Sequence, residues 1–225
     1  MRIRNKPWAK EELAASPFYV QNPEEYKEKW KEFFKNQDNP IYVELGCGKG
    51  FFVKKEAKQN PKINYIAIDL IDAILGVANR NIIEEFEGQE VNNIALTRYD
   101  IEEINNILGK ADKIGRIYIN FCNPWPKPRH KKRRLTHTRQ LEKYKQFLAT
   151  KGEIYFKTDD DGLFKESLEY FKEAGFETVK ITYNLNEKPT FWNNIETEHE
   201  IKFKNEGIKI KAGIFRIKEQ QAPNL

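Results

Sequence analysis

The stretch Ile41-Tyr42-Val43-Glu44-Leu45-Gly46-Cys47-Gly48-Lys49-Gly50-Phe51-Phe52-Val53 decides the fold. A run of strand length meets glycines at alternate positions, and an amphipathic segment follows at once over Phe51–Gln59. Glycine at a strand-to-helix turn tolerates positive φ and lets a ligand approach the backbone closely. A tight turn that needs glycine only for its shape is the plainer alternative. The spacing is G-x-G-x-G with Glu44 just ahead of it. A dinucleotide fingerprint is G-x-G-x-x-G, with a pyrophosphate on the helix N-terminus. An acidic group here suits a cationic ligand better than a pyrophosphate, which disfavours a dehydrogenase.

Outward from this turn the alternation continues. Strands are predicted over Ile41–Leu45 and over residues 65–69, 93–99, 116–121, 153–157, 178–183 and 208–217. Between them, helices are predicted over Phe51–Gln59, Asp72–Phe86 and residues 138–148 and 163–173, with a short helical stretch from Ile101. Strands separated by helices of ten or more residues need right-handed crossovers and a parallel sheet covered on both faces. The predicted class is therefore doubly wound α/β. No Ser/Gly-rich or Pro-rich linker divides the 225 residues, so one domain is expected over 1–225. Residues 1–30 form an N-terminal extension that is basic at its start.

Composition narrows the function. Lys and Arg outnumber Asp and Glu 39 to 34, and a clustered excess of this kind raises the potential facing a polyanion. The two cysteines, Cys47 and Cys122, have no partner at CxxC spacing, which fits a reduced cytoplasmic protein. His130, His137 and His199 form no ligand pair, so no metal is expected. No apolar run approaches the ~20 residues a membrane helix needs.

In a doubly wound sheet, ligands sit beyond the carboxyl ends of the strands. The second strand ends at Asp69, at the position where a carboxylate accepts from ribose hydroxyls. The third ends at Asp100, which would lie near the adenine of a nucleoside ligand and also suits a helix N-cap before Ile101. Glu44-x-Gly46-x-Gly48-x-Gly50 followed by Asp69 resembles the first two motifs of class I S-adenosylmethionine methyltransferases. The resemblance implies S-adenosylmethionine as cofactor and a Rossmann-like sheet of seven strands, the last antiparallel, with 208–217 as the candidate for that strand.

After the fourth long strand comes Asn120-Phe121-Cys122-Asn123-Pro124-Trp125-Pro126-Lys127-Pro128-Arg129-His130-Lys131-Lys132-Arg133-Arg134-Leu135. Three prolines fix φ and predict a stiff extended loop without helix. A basic run is usually a solvated face, but this one starts beside the presumed methyl donor and so favours nucleic acid. Trp125 either stacks on a splayed base or packs under the loop as a core residue.

The chain resembles the bacterial tRNA (guanine-N7)-methyltransferases. The matching motifs are Arg2-x-Arg4-x-Lys6-Pro7-Trp8, the glycine turn, the loop from Asn120 to Leu135, Lys157-Thr158-Asp159, and Thr197-Glu198-His199-Glu200. This implies methyl transfer to N7 of a tRNA guanosine, in the variable loop. Glu44, Gly46, Gly48, Asp69, Asp100 and Asn123 would line the cofactor site. Lys127, Asp159, Thr197, Glu198, His199 and Glu200 would contact the guanosine or its tRNA. The family's usual Phe-x-Asp-Pro-Trp carries an aspartate where this chain has Asn123, the candidate catalytic residue.

Guanine N7 has a lone pair and no proton, so attack on a sulfonium methyl has nothing for a general base to remove. Alignment is what the step needs, and Asn123 can orient groups through its amide. Asp159 can accept from the guanine N1–H and N2 edge, or cap the helix after it. Rival readings remain. Asn123-Pro124-Trp125 is one proline short of the Asn-Pro-Pro-aromatic loop of exocyclic-amine methyltransferases. Cys122 could be a thiolate nucleophile of a C5-pyrimidine enzyme, though it precedes the proline and suits a small buried residue. A tRNA-binding protein without catalysis is the alternative of another class. Either a monomer or a homodimer fits.

Overall fold

The structure is a computed structural model that describes residues 6–187, 191 and 194–219. Arg2 and Arg4 of the basic N-terminal motif lie outside the described residues. In chain order the elements are α1 (Trp8–Ala14), β1 (Tyr19–Val20), β2 (Ile41–Leu45), α2 (Phe51–Gln59), β3 (Asn64–Asp69), α3 (Asp72–Phe86), β4 (Ile94–Arg98) and β5 (Ile114–Asn120). Then follow α4 (Thr138–Tyr144), β6 (Leu148–Thr158), α5 (Asp161–Glu173), β7 (Phe176–Thr182), α6 (Glu198–Asn205) and β8 (Lys211–Ile217).

The sheet order is β1-β4-β3-β2-β5-β6-β8-β7. Pairing is parallel from β1 through β6, and β8 runs antiparallel between β6 and β7. The antiparallel final strand is thus found where it was expected. The strand count is eight rather than seven, because Tyr19 and Val20 add a two-residue edge strand beside Leu96 and Thr97. A strand this short carries no periodicity that a sequence could reveal.

The two faces of the sheet bury separate apolar clusters. Val43, Leu45, Ile66, Ile68, Ile117 and Ile119 point to one side, and Tyr65, Ala67, Leu96 and Tyr118 to the other with Val53, Leu75 and Ile82 of α2 and α3. Each such aliphatic side chain contributes roughly 1.5–3 kcal/mol when buried, so the central strands read as continuous apolar runs. The N-terminal residues join this core. Gly76 of α3 faces Ala9 of α1 so closely that a Cβ there would lie 2.5 Å from the alanine Cβ. Trp30 is fully buried and donates from Nε1 to the Ile107 carbonyl at 2.7 Å.

Several boundaries differ from expectation by two or three residues, the last strand beginning at Lys211 rather than 208, and the largest difference lies before β6. The predicted helix over 138–148 stops at Tyr144, and β6 begins at Leu148, paired with Ile114, instead of at Glu153. Tyr144 and Phe147 both turn into the core, so burial ends the helix where its local pattern would continue. The proline-rich loop also holds a 3-10 helix over Pro128–Arg133, contrary to the prediction of no helix. Pro128 occupies the first helical position, where no N–H is required.

The chain runs β2, β3, β4 away from the centre and then returns to place β5 on the other side of β2. That reversal opens a crevice above the carboxyl ends of β2 and β5, the usual ligand position in such sheets.

Candidate active site

At the end of β2, Gly46, Gly48 and Gly50 have φ of 78°, 54° and 72°, a region costly for residues with a Cβ. The turn is tied to β3. Gly46 and Cys47 both donate to the Ile68 carbonyl at 2.9 Å, and Gly48 N donates to Asp69 Oδ2 at 3.0 Å. The other oxygen, Oδ1, accepts from Ile71 N at 3.2 Å. Asp69 therefore braces the turn with both oxygens, and burial pushes its carboxyl pKa up against the pull of those N–H groups. A Cβ added at Gly46 or Gly48 would meet nothing within 4 Å, so the turn borders open space.

Glu44 stands below that space, 3% exposed. Its Oε1 accepts from Asn120 Nδ2 at 3.0 Å, while Oε2 is buried with no partner among the described residues. Burial pushes its pKa to about 8, although the Asn120 bond and the nearby Lys157 ammonium act the other way. A buried acceptor without a donor is costly, and a cationic or amine-bearing ligand over the glycine turn would relieve it. Asp100 follows the neighbouring strand β4 and is exposed. Its side chain accepts from Glu102 N at 2.9 Å, the N-cap geometry expected of it.

The acceptor loop leaves β5 beside this space. Phe121 and Trp125 hold positive φ, 52° and 41°, which is strained for non-glycine residues. Asn123 is exposed, and its Oδ1 accepts from Trp125 N at 3.0 Å. Trp125 is neither core nor free: it is half-buried, edge-on to His130 at 5.6 Å, with the Arg133 guanidinium 5.2 Å from its ring centre. Arg134, 3% exposed, donates to the Pro124 carbonyl at 2.7 Å and to Glu166 Oε2 at 2.5 Å. Lys131 also donates to Glu166 at 2.8 Å, and the two cations hold that carboxyl down to about 2, Lys131 contributing most. So part of the basic run serves the loop's own structure. Lys127, Arg129, Lys132 and Arg133 are exposed, and among the described residues none makes a salt bridge. Cys122 packs against the core, and burial pushes its thiol to about 12, which is the wrong direction for a thiolate nucleophile.

Asp159 follows β6. The helix cap is Asp160, whose Oδ1 accepts from Leu163 N at 2.6 Å, so the Asp159 carboxylate is not consumed in capping. Thr197 to Glu200 form a capping box at the start of α6: Thr197 Oγ1 accepts from Glu200 N at 3.1 Å, and Glu200 Oε2 from Thr197 N at 3.3 Å. Glu198 is exposed and pairs at 3.0 Å with Lys49 of the glycine turn. The His199 ring lies 5.8 Å from that of Phe121, nearly parallel at 19°. Thus α6 touches both the glycine turn and the loop after β5. Glu200 differs from its neighbours: it is 1% exposed and its carboxylate is bound to Lys157 at 2.6 Å.

Sequence reasoning quoted Asn120 and Lys157 within motifs but gave them no role, and it did not foresee the Lys49–Glu198 pair. The Thr-x-x-Glu spacing was a readable capping-box signal for α6, but the long-range partners had no local signature.

Residues 38–212 match a family model described as a putative methyltransferase; the span runs from just before β2 into β8, so the protein is a methyltransferase on the doubly wound sheet. Among curated relatives, the tRNA (guanine-N(7)-)-methyltransferase of Clostridium beijerinckii is 59% identical over 213 residues, covering 94% of this chain and 96% of that one. The enzyme of the same name from Ruminiclostridium cellulolyticum is 54% identical over 223 residues, covering 98% and 94%. The chain belongs to the tRNA (guanine-N(7)-)-methyltransferase family.

Solved structures agree on the fold alone. The 16S rRNA methyltransferase KamB superposes with a TM-score of 0.59 at 12% identity, covering 80% of this chain and 89% of that one. The cyclase SpnF gives 0.56 at 11%, covering 81% and 76%. One sheet thus carries different chemistries, and the site must decide between them.

Proposed function

We propose that this protein, acting as one methyltransferase domain, transfers a methyl group from S-adenosylmethionine to N7 of a guanosine in tRNA, in the variable loop. The observation that carries the reading is the buried, unpartnered Oε2 of Glu44 under an open glycine turn, with Asn123 and the exposed cations of the acceptor loop alongside. The cofactor's donor groups match that oxygen, and its sulfonium supplies an electrophilic methyl. The open space at Gly46 and Gly48 accommodates the ligand, and Asp69 and Asp100 edge the ribose and adenine positions.

Lys127, Arg129, Lys132 and Arg133 neutralise phosphates. Asp159 accepts from the N1–H and N2 edge of the target base, which selects guanine over adenine. Thr197, Glu198 and His199 border the same pocket, while Glu200 acts from behind it. N7 carries no proton, so no base is needed and alignment supplies much of the rate. Asn123 orients the acceptor without the charge of the family's aspartate. A cytoplasmic location follows from the substrate.

The test is incubation with S-adenosylmethionine and an unmodified tRNA transcript, then nuclease digestion and mass spectrometry of nucleosides and fragments. The expected product is 7-methylguanosine in a variable-loop fragment. Methyl on adenine N6 or pyrimidine C5 would overturn the reading, as would salt-sensitive tRNA binding without transfer.

A further inference from the structure

Lys157 is the most deeply buried lysine among the described residues, 1% exposed. Placing an ammonium there is costly unless every N–H finds an acceptor, and burial pulls its pKa below the usual lysine range. All three N–H groups are satisfied: Nζ donates to Glu200 Oε2 at 2.6 Å, Asn194 Oδ1 at 2.8 Å and the Ile195 carbonyl at 3.1 Å. Glu200 closes the network, its Oε1 accepting from Asn194 Nδ2 at 2.5 Å and its Oε2 from Thr197 N at 3.3 Å.

Every one of these acceptors lies on residues 194–200, between 37 and 43 positions along the chain. Lys157 itself stands two residues before Asp159 on β6. In the sheet it is paired with Asn120 of β5, the residue whose amide holds Glu44. One ammonium therefore joins the strand end carrying Asp159 to the segment carrying Thr197, Glu198 and His199, one strand away from the partner of Glu44.

A buried ion pair is poor evidence of a stability device, because well-packed apolar residues of similar size often do as well. Its geometry is what an apolar pair cannot reproduce: three directed bonds fix the segment in distance and orientation. We propose that Lys157 is a positioning residue for the acceptor guanosine, holding the Thr197–His199 wall of the pocket at a set distance from Asp159. The proposal rests on the functional reading above. Glu200 then acts as the anchor for Lys157 rather than as a contact to the base.

The experiment uses the full-length protein with unmodified tRNA transcript and compares wild type, Glu200→Gln, and the double variant Lys157→Met/Glu200→Gln. Lys157→Met alone would strand a buried carboxylate and unfold the site; the double variant removes both charges and so keeps the fold. The double variant is expected to melt within a few degrees of wild type and to bind S-adenosylmethionine with unchanged affinity. Its kcat for 7-methylguanosine formation should fall by about 10- to 100-fold, the scale of a misplacement of about 1 Å. Glu200→Gln alone leaves the buried ammonium without its counter-charge, so it should melt well below both wild type and the double variant.

A folded double variant with wild-type kcat and tRNA KM would overturn the proposal while leaving the functional reading intact. So would a loss of rate matched by an equal loss of cofactor affinity, which would place the effect at Glu44. Glu200→Gln that melts and turns over like wild type would also overturn it, because the Lys157–Glu200 pair would then not be what holds the segment. Wild-type protein that makes no 7-methylguanosine would sink the functional reading, and the role of Lys157 with it.

Discussion

The two halves of the site are built differently. On the cofactor side, residues 44–50 are braced by the end of the very next strand: Ile68 and Asp69 receive the N–H groups of Gly46, Cys47 and Gly48. On the acceptor side, the loop after β5 is held from afar, by Glu166 of α5 through Lys131 and Arg134, and α6 is held by Lys157. The difference teaches that the proposed cofactor cradle is a local motif, whereas the proposed acceptor pocket is an assembly of separate segments tied together by long-range charged contacts.

Asp69→Ala should break the cofactor half most severely, because it removes the brace and the carboxylate at once. Calorimetry should show S-adenosylmethionine affinity falling about 100-fold, on the scale of one or two lost bonds to a charged group, with tRNA affinity little changed. An equal loss on both sides would erase the contrast between the halves.

Next in size is a pH effect confined to the same half. With Glu44 at about 8, a cationic ligand must displace its proton, so cofactor affinity should climb roughly tenfold per pH unit from about pH 6 to 8. Glu44→Gln should flatten that profile. For the ligand-free protein the sign is reversed. A carboxyl raised from 4.5 to about 8 on folding stabilises fully below about 4.5 and loses that contribution as pH rises through about 8. Urea titrations of wild type against Glu44→Gln should show a steeper decline in the wild type, since Asp69, also raised by burial, remains in both.

Glu166→Gln should sharpen the contrast from the other side. With the loop cations released, KM for tRNA is expected to rise by about three- to tenfold, a scale usual for loss of a charged network, while the cofactor dissociation constant stays put. A shift in cofactor affinity would show that the halves are coupled. Lys127→Ala, Arg129→Ala and Lys132→Ala should each weaken tRNA binding modestly and lower the slope of log K against log salt by about 0.7 to 0.9. Filter binding at several salt concentrations reads this directly, and an unchanged slope would remove that residue from the phosphate path.

Asn123→Asp carries the smallest expected change. The bond from Trp125 N to Asn123 Oδ1 can be kept by a carboxylate, so the loop need not move. The added charge should raise kcat by a few-fold, as a favourable charge near a developing cation does at a partly exposed site. A fall in kcat would mean that the amide N–H₂ is used in catalysis.

The unequal legibility of the site follows the same division. Glu44, the three glycines and Asp69 could be read because apolar strand-length runs and turn glycines are short-range signals, and the structure brings them together at one crevice. Asp100 was readable as a cap for the same reason. The acceptor loop was recognisable by composition, yet nothing in Lys131 or Arg134 marked them as internal while Lys127 and Lys132 stay exposed. Glu200 looked like its exposed neighbours Glu198 and His199, and only the position of Lys157, 43 residues away, reveals that it is buried and paired.

The sequence by itself therefore determined the alternation of strands and helices, the glycine turn and the basic loop, since each depends on residues within a few positions of one another, whereas the antiparallel last strand was legible only through the resemblance to class I methyltransferases. The tertiary structure alone decided that residues 8–34 enter the core, that a two-residue strand extends the sheet, that the helix before β6 ends at Tyr144, and which charges are buried and which exposed. Those outcomes turn on burial and on partners brought together by the fold, and the energy of a buried charge depends on what surrounds it in space rather than on what precedes it in the chain.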